Sequence, residues 1–344
     1  MTEIDPLTDE PIGRGGVRRD RYDNALLFPR GIPKRVPYTS ASSMADIISS
    51  QYAIHLWEKR YLARGLGMRE DLAALCGAEV YTTGFGLEDI GENKASGRRL
   101  DEHIRRALDT ARVHEKADYG TAGHLLTEPG QIEAGGYVPE RMRADVAAFQ
   151  KAMRGLPILA TELFVANDRL MSAGTFDHLL DGDIIAEVHP ELETQGTVVV
   201  QDKKFGKLKP GAFAVQMAVY ATSELYDTET DERMTFEEAF GKPMNTRWGI
   251  TAHIPAGEGR CDLLPTDLTD GLAAAEHAIW VRAWQKRNDQ LRKPLDTNAL
   301  ESAAARRAVL TARSREELSH LYGKFEDVWT DELTQLGMKA LTSS

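Results

Sequence analysis

Thr197-Val-Val-Val-Gln-Asp-Lys-Lys204 is the stretch on which the fold turns. A β-branched run of this kind favours an extended strand, and side chains two positions apart on a strand share a face. Asp202 and Lys204 therefore leave the end of that strand side by side, a carboxylate next to an ammonium. Upstream, Ala173-Gly-Thr-Phe-Asp177 places a second carboxylate in an apolar surround. Ionised carboxylates among apolar residues are costly unless compensated, and a hard divalent cation compensates them efficiently. Two aspartates and a lysine together meet the needs of metal-assisted phosphodiester hydrolysis: oxygen ligands for the ion, and a cation to orient water and offset developing negative charge.

Outward from this stretch, Ile158 to Val165, Leu170 to Leu180 and Ile184 to Val188 read as further short strands. Asn167-Asp168 is the expected hairpin turn between the first two, and Glu191 to Gly196 a looser connection before the last. Helical periodicity precedes this group at Ser43 to Leu66, Leu100 to about Lys116 and Pro139 to Met153, and follows it at Ala212 to Leu225. Gly84, Gly86, Gly91 and Gly97 mark a loop-rich stretch among the first helices. Thr235-Phe-Glu-Glu238 and Ser314-Arg-Glu-Glu317 fit capping boxes. Arg247 to Ile254 and Cys261 to Leu264 read as strands around the turn Pro255-Ala-Gly-Glu-Gly259. Asp270 to Arg292 reads as a long helix with Trp280 and Trp284 as core contacts, and Asn298 to Leu341 as helical. The order predicts an α/β fold with a central mixed sheet flanked by helices. It divides into an irregular arm (1–36), a main domain (37–295, core motifs 120–220) and a helical C-terminal segment (296–344).

The 344 residues supply enough apolar material for a sizeable core. A net charge of -11 argues at first against a nucleic-acid partner, but Arg98-Arg99, Arg105-Arg106 and the group Lys203, Lys204, Lys207 and Lys209 form basic clusters. Taken singly, such runs are solvated surface charge. The start, Met1-Thr-Glu-Ile-Asp-Pro6, lacks a basic region followed by an apolar stretch, and no apolar run approaches the roughly 20 residues of a bilayer span, so a cytoplasmic protein without membrane contact is expected. Cys76 and Cys261 are too few for a disulfide framework, a four-cysteine zinc site or a cysteine-ligated iron–sulfur cluster. Neither G-x-x-x-x-G-K-[ST], G-x-S-x-G nor H-E-x-x-H occurs, and Gly84-Phe-Gly86 fails the dinucleotide spacing.

The ordered set Gly120-Thr-Ala-Gly-His124, Glu162, Gly174-Thr-Phe-Asp177, Asp202-Lys-Lys204 and Gln216-Met-Ala-Val-Tyr220 resembles the PD-(D/E)XK nuclease superfamily, in its RecB-like branch of phage exonucleases and CRISPR-adaptation nucleases. A D-x-K triplet alone is weak; five pieces in family order are far more specific. The resemblance covers His124 to Tyr220 and implies a restriction-endonuclease-like core with helical additions at both ends. It implies that Asp177, Asp202 and His124 ligate Mg²⁺ or Mn²⁺ with the backbone carbonyl of Lys203, and that Lys204 is the catalytic lysine. Glu162 would help hold metal or water, with Glu128 close by on the His124 helix, while Gln216 and Tyr220 would touch DNA. Lys207 and Lys209 would attract phosphate.

The chain departs from the family pattern in having Phe205 in place of the threonine after the catalytic lysine. Asp177 and Asp202 are also 25 positions apart, long for a hairpin, which implies an insertion around Asp181 to Gly196. The expected function is a divalent-metal-dependent exonuclease on linear DNA in phage or bacterial recombination or end processing. A recombination protein or a second copy of the chain would be a further partner. A structure-specific endonuclease and a non-catalytic DNA-binding or assembly protein that keeps the fold are the alternatives. Residue by residue, His124 alone reads as a structural histidine, Glu162 as the outer face of an amphipathic strand, and Gln216 with Tyr220 as a core-edge pair.

Overall fold

The valines of Thr197 to Lys204 lie in the middle of a sheet covered on both faces. The computed structural model describes residues 3–4, 11–12, 16–48, 52–82, 94–128, 137–287 and 295–342. In chain order the elements begin with β1 (Glu3–Ile4), β2 (Pro11–Ile12), β3 (Ala25–Leu27), β4 (Val36–Ser40), α1 (Ala41–Ile48), α2 (Tyr52–Met68), α3 (Glu70–Thr82), α4 (Lys94–Thr110), α5 (Glu115–Leu126) and α6 (Glu140–Met153). They continue with β5 (Ile158–Asn167), β6 (Ser172–Asp181), α7 (Gly182–Val188), β7 (Val198–Phe205), α8 (Pro210–Ala221), β8 (Glu224–Tyr226), β9 (Arg233–Met234), α9 (Phe236–Phe240), β10 (Trp248–Ile254), β11 (Asp262–Asp267) and α10 (Thr269–Lys286). Helices α11 (Thr297–Thr311), α12 (Arg315–Lys324) and α13 (Asp331–Thr342) follow.

The main sheet has nine strands in the order β11-β10-β7-β6-β5-β8-β9, with β4 joined to β6 and β3 to β4. It is mixed and mostly antiparallel: among the described pairs, β7 with β10 and β4 with β6 are parallel. Strand periodicity sorts the apolar side chains. Val198, Val200 and Leu179 pack with α1, α8 and α10 on one face, through Met44, Val215, Met217 and Ala275. Val199 and Leu180 pack on the other with Phe149 and Met153 of α6 and Ile185 of α7. Burying each such side chain stabilises the fold by roughly 1.5–3 kcal/mol. β7 is thus a central strand, buried on both faces, and its run of valines follows from that.

Several sequence expectations are corrected. Ile184 to Val188 is helix α7, not a strand: Asp181 caps it by accepting from the Asp183 N–H at 3.0 Å, and a short apolar run cannot tell the two states apart. A Cβ at Gly182 would come within 2.3 Å of the Thr194 carbonyl oxygen, so the chain can turn there only through glycine. Trp280 and Trp284 are not core residues, being 62% and 44% exposed. α10 buries Gly271, Ala275 and Ala278 instead, and Gly271 lies so close to the Ala214 backbone that its missing Cβ sets the approach of α10 to α8.

The segment read as an irregular arm contributes β1, β2, β3 and the first residue of β4, and Val17, Ala25 and Leu27 are buried with Tyr38 and Tyr226. Strands of three and five residues, the first of them entered through a turn at Asp20 to Asn24, are too short to show a period. The first helical pattern is two helices, α1 and α2, and the second stops at Thr110, where Arg112 takes φ 58°, before α5 begins at Glu115. Gly97 lies within α4, whereas Gly84, Gly86 and Gly91 fall outside the described residues, as do 288–292 at the end of the long-helix pattern. Ala212 to Leu225 yields its end to β8. Thr235 and Glu238 form the reciprocal capping box; at Ser314 the cap accepts from the Glu317 N–H while the Glu317 carboxylate turns back to Arg313 N–H.

The chain divides into two compact units, 1–282 and 283–344. The second has a small core of its own, in which Ala305, Phe325 and Leu333 of the α11–α13 region pack together beside Val309, Ala312 and Leu318. Among the described residues no helix is long and apolar enough to cross a membrane.

Candidate active site

β6 changes partner along one edge. It pairs with β7 from Asp181 to His178 and with β4 at Ser172 and Ala173, and between these registers residues 174–177 have no ladder partner on that edge among the described residues. The Lys203 N–H, which would carry the β6–β7 ladder onward, donates instead to Asp177 Oδ2 at 2.5 Å. The sheet therefore opens at the residues that bear the carboxylates, and one of those carboxylates takes the place of a strand carbonyl.

Asp177 and Asp202 are both buried. Asp177 Oδ1 lies 3.0 Å from His124 Nδ1 and 3.6 Å from Lys203 Nζ. Burial alone would raise its carboxyl; the hydrogen bond and charge of His124 with the charge and N–H of Lys203 outweigh it and hold the group at about 2. Next to an ionised carboxylate Nδ1 is the donor, so His124 as a neutral imidazole would offer its Nε2 lone pair as a ligand. Asp202 behaves oppositely. Burial pushes its carboxyl up, the neighbouring Asp177 charge adds to this, and Lys204 offsets it only in part. Its Oδ2 is ion-paired with Lys204 Nζ and has no other partner among the described residues.

Lys204 Nζ also donates to Gln216 Oε1 at 3.0 Å, and Gln216 Nε2 to the Tyr220 hydroxyl at 3.0 Å. Tyr220 is buried against Phe176. A Cβ at Gly174 would sit 3.1 Å from its ring, so the glycine of Gly174-Thr-Phe-Asp177 makes room for this tyrosine. Tyr220 is thus too deep to touch DNA, and its hydroxyl orients Gln216, which orients Lys204. Lys207 and Lys209 are exposed in the turn between β7 and α8.

Glu162 lies in β5 between the paired residues Thr161 with His178 and Leu163 with Phe176, which places it across from Asp177. Its backbone is left-handed at φ 52°, a strained conformation for glutamate. Although solvent reaches its side chain, partial burial raises its carboxyl above the ordinary value, and the charges of Asp177 and Glu128 add to this. Glu128 follows the end of α5 rather than lying on it.

Two participants were missed. Lys203, read only for its carbonyl or as solvated charge, has a fully buried side chain whose Nζ donates to the His124 carbonyl at 3.3 Å. Phe205, noted only as a departure, packs its ring 5.7 Å from that of His124. A Cβ at Gly123 would fall 2.5 Å from the Phe205 ring, so the glycines before His124 and the phenylalanine after the lysines answer one another. No signal in either segment alone reveals this fit.

No protein-family model and no curated protein matches this chain. The chemistry of the site must carry its own reading. Among the described residues no three His, Cys, Asp or Glu side chains are preassembled around one point: Asp177 is turned to His124 and Lys203, and Asp202 to Lys204. The donor set nevertheless fits a hard divalent cation, with two buried carboxylates, an imidazole nitrogen and, on Asp202, an oxygen whose one partner is a movable ammonium.

Proposed function

We propose that the chain is a divalent-metal-dependent deoxyribonuclease with a restriction-endonuclease-like core, acting on the ends of linear DNA in the cytoplasm. The observation that carries the phosphodiester chemistry is the pair of buried carboxylates at the open end of β6 and β7, each against its own lysine, with Lys204 aimed by Gln216. A non-catalytic scaffold gains nothing from burying such a set, because buried charge costs free energy. DNA as the substrate, and exonuclease rather than endonuclease action, rest on the RecB-like resemblance and on His124, Glu162, Gln216 and Tyr220 standing in family order.

Asp177, Asp202 and His124 would hold Mg²⁺ or Mn²⁺, which when bound supplies Lewis acidity and an activated water. Lys204, partly exposed, can leave Asp202 and turn its ammonium to the attacked phosphate, offsetting charge as it develops. Gln216 keeps the lysine from swinging into bulk solvent. Glu162, with its raised carboxyl at the rim, can take up a proton from water. Lys207 and Lys209 attract the backbone on the approach side.

The test is cleavage of end-labelled linear and closed circular DNA with Mg²⁺ or Mn²⁺, with and without chelator, by wild type and Lys204→Ala. Metal-dependent loss of linear DNA, absent in the variant, is expected. Equal persistence of bound DNA with both proteins would sink the nuclease reading, and equal attack on circles would move it to an endonuclease.

A further inference from the structure

The two ammoniums of the site differ in freedom. The Lys204 side chain is 20% exposed and can move, whereas that of Lys203 is 0% exposed. Lys203 Nζ is wedged between Asp177 Oδ1 at 3.6 Å and the His124 carbonyl at 3.3 Å. That carbonyl belongs to the last turn of α5, where the helix dipole favours a cation. The N–H of the same residue holds Asp177 Oδ2, so Lys203 engages both oxygens of the carboxylate. Withdrawing its ammonium would leave Asp177 buried with only the imidazole of His124 and a main-chain N–H beside it, an unfavourable state.

From this fixed pair we infer that Lys203 is a built-in second cation, and that the centre loads one divalent ion, held chiefly through Asp202, rather than two. The inference rests on the metal-dependent nuclease reading. With Lys204 turned to a phosphate, Asp177, Asp202 and Lys203 together carry a single negative charge, enough to attract one divalent ion but far short of balancing two. Asp177 keeps its place as an anion near the metal, yet its oxygens are already satisfied by fixed groups, whereas Asp202 has only the ammonium of Lys204, which can move away. Glu162 at the rim is open to solvent, and its charge is screened accordingly.

Mn²⁺ binding to the full chain, counted at neutral pH by electron paramagnetic resonance of the free ion, tests this alongside cleavage of linear DNA. Ions that persist in Asp202→Asn lie elsewhere and are subtracted. One ion per wild-type chain is expected, with a second taken up by Lys203→Met and none added by Lys203→Arg, which keeps the charge. Should Lys203→Met not fold, as judged by circular dichroism, the wild-type count decides. Two ions on wild type, or one on folded Lys203→Met, overturn the inference and leave the nuclease reading intact. No bound ion together with no cleavage overturns both.

Discussion

Asp177 and Asp202 stand on adjacent strands at similar depth, yet the site holds them in opposite ways. Around Asp177 every contact stabilises the anion: a main-chain N–H, an imidazole and a buried ammonium. Around Asp202 there is one ion pair, formed by a partly exposed lysine that Gln216 shares, and no main-chain or imidazole donor among the described residues. Asp177 is an anion the fold has already compensated, while Asp202 is one it compensates only in part. In a single pocket, the first fixes geometry and the second supplies the unmet demand that an incoming cation answers.

Neutral isosteres break this comparison most directly. Asp177→Asn and Asp202→Asn are each expected to lower cleavage of linear DNA by about 10³-fold or more, the scale of losing a principal electrostatic partner. Their metal-free melting temperatures should move apart: Asp202→Asn rises by about 2–4 °C, as relief of ~1 kcal/mol would give in a domain of this size, whereas Asp177→Asn falls. If both variants melt below wild type in the absence of metal, the asymmetry between the carboxylates is wrong.

Gln216→Ala sharpens the Asp202 half. With Lys204 released from its relay, kcat should fall by roughly 10–100-fold, as for loss of an orienting partner, with KM little changed. A change in KM alone would make Gln216 a binding contact and not a positioning one. On the other half, Gly123→Ala drives a methyl into the Phe205 ring and should lower stability by about 1–3 kcal/mol while displacing His124. The matched variant Gly123→Ala with Phe205→Leu should recover most of that loss, measured by thermal melting.

The smallest expected effect is the pH dependence. Because Asp177 is held at about 2, below its unfolded value near 3.8, its contribution is complete above the unfolded value and is lost as pH falls through about 2. Asp202, held above its unfolded value, costs nothing below it and costs progressively more as pH rises through its folded value. The melting advantage of Asp202→Asn over wild type should therefore shrink as metal-free samples are acidified toward pH 4, and a gap that stays constant would contradict it.

The sheet and the carboxylates were legible because they rest on local rules. Alternation puts Asp202 and Lys204 on one face, and a β-branched run makes a central strand. The role of Lys203 was hidden by that same alternation, which turns it to the opposite face, where only the docking of α5 shows what it meets. Tyr220 carries no mark of its depth, since the glycine that admits it is 46 residues away. Two tryptophans one turn apart looked like a core face, but small residues can bring a helix closer to its neighbour than large ones. Ile184 to Val188 failed for want of length.

The exchange of partners along β6 bears on how the chain could be shortened. Among its described residues the N-terminal stretch has only short elements and none of the site residues, and a trimmed version would naturally begin near Tyr52. Such a cut removes β3, β4 and α1, and with them the neighbour that covers Ser172 and Ala173. What remains is a bare strand edge running straight up to Asp177, open to pairing with another chain. β3 and β4 thus cover that edge, and their loss is expected to be visible as aggregation before it is visible as lost chemistry.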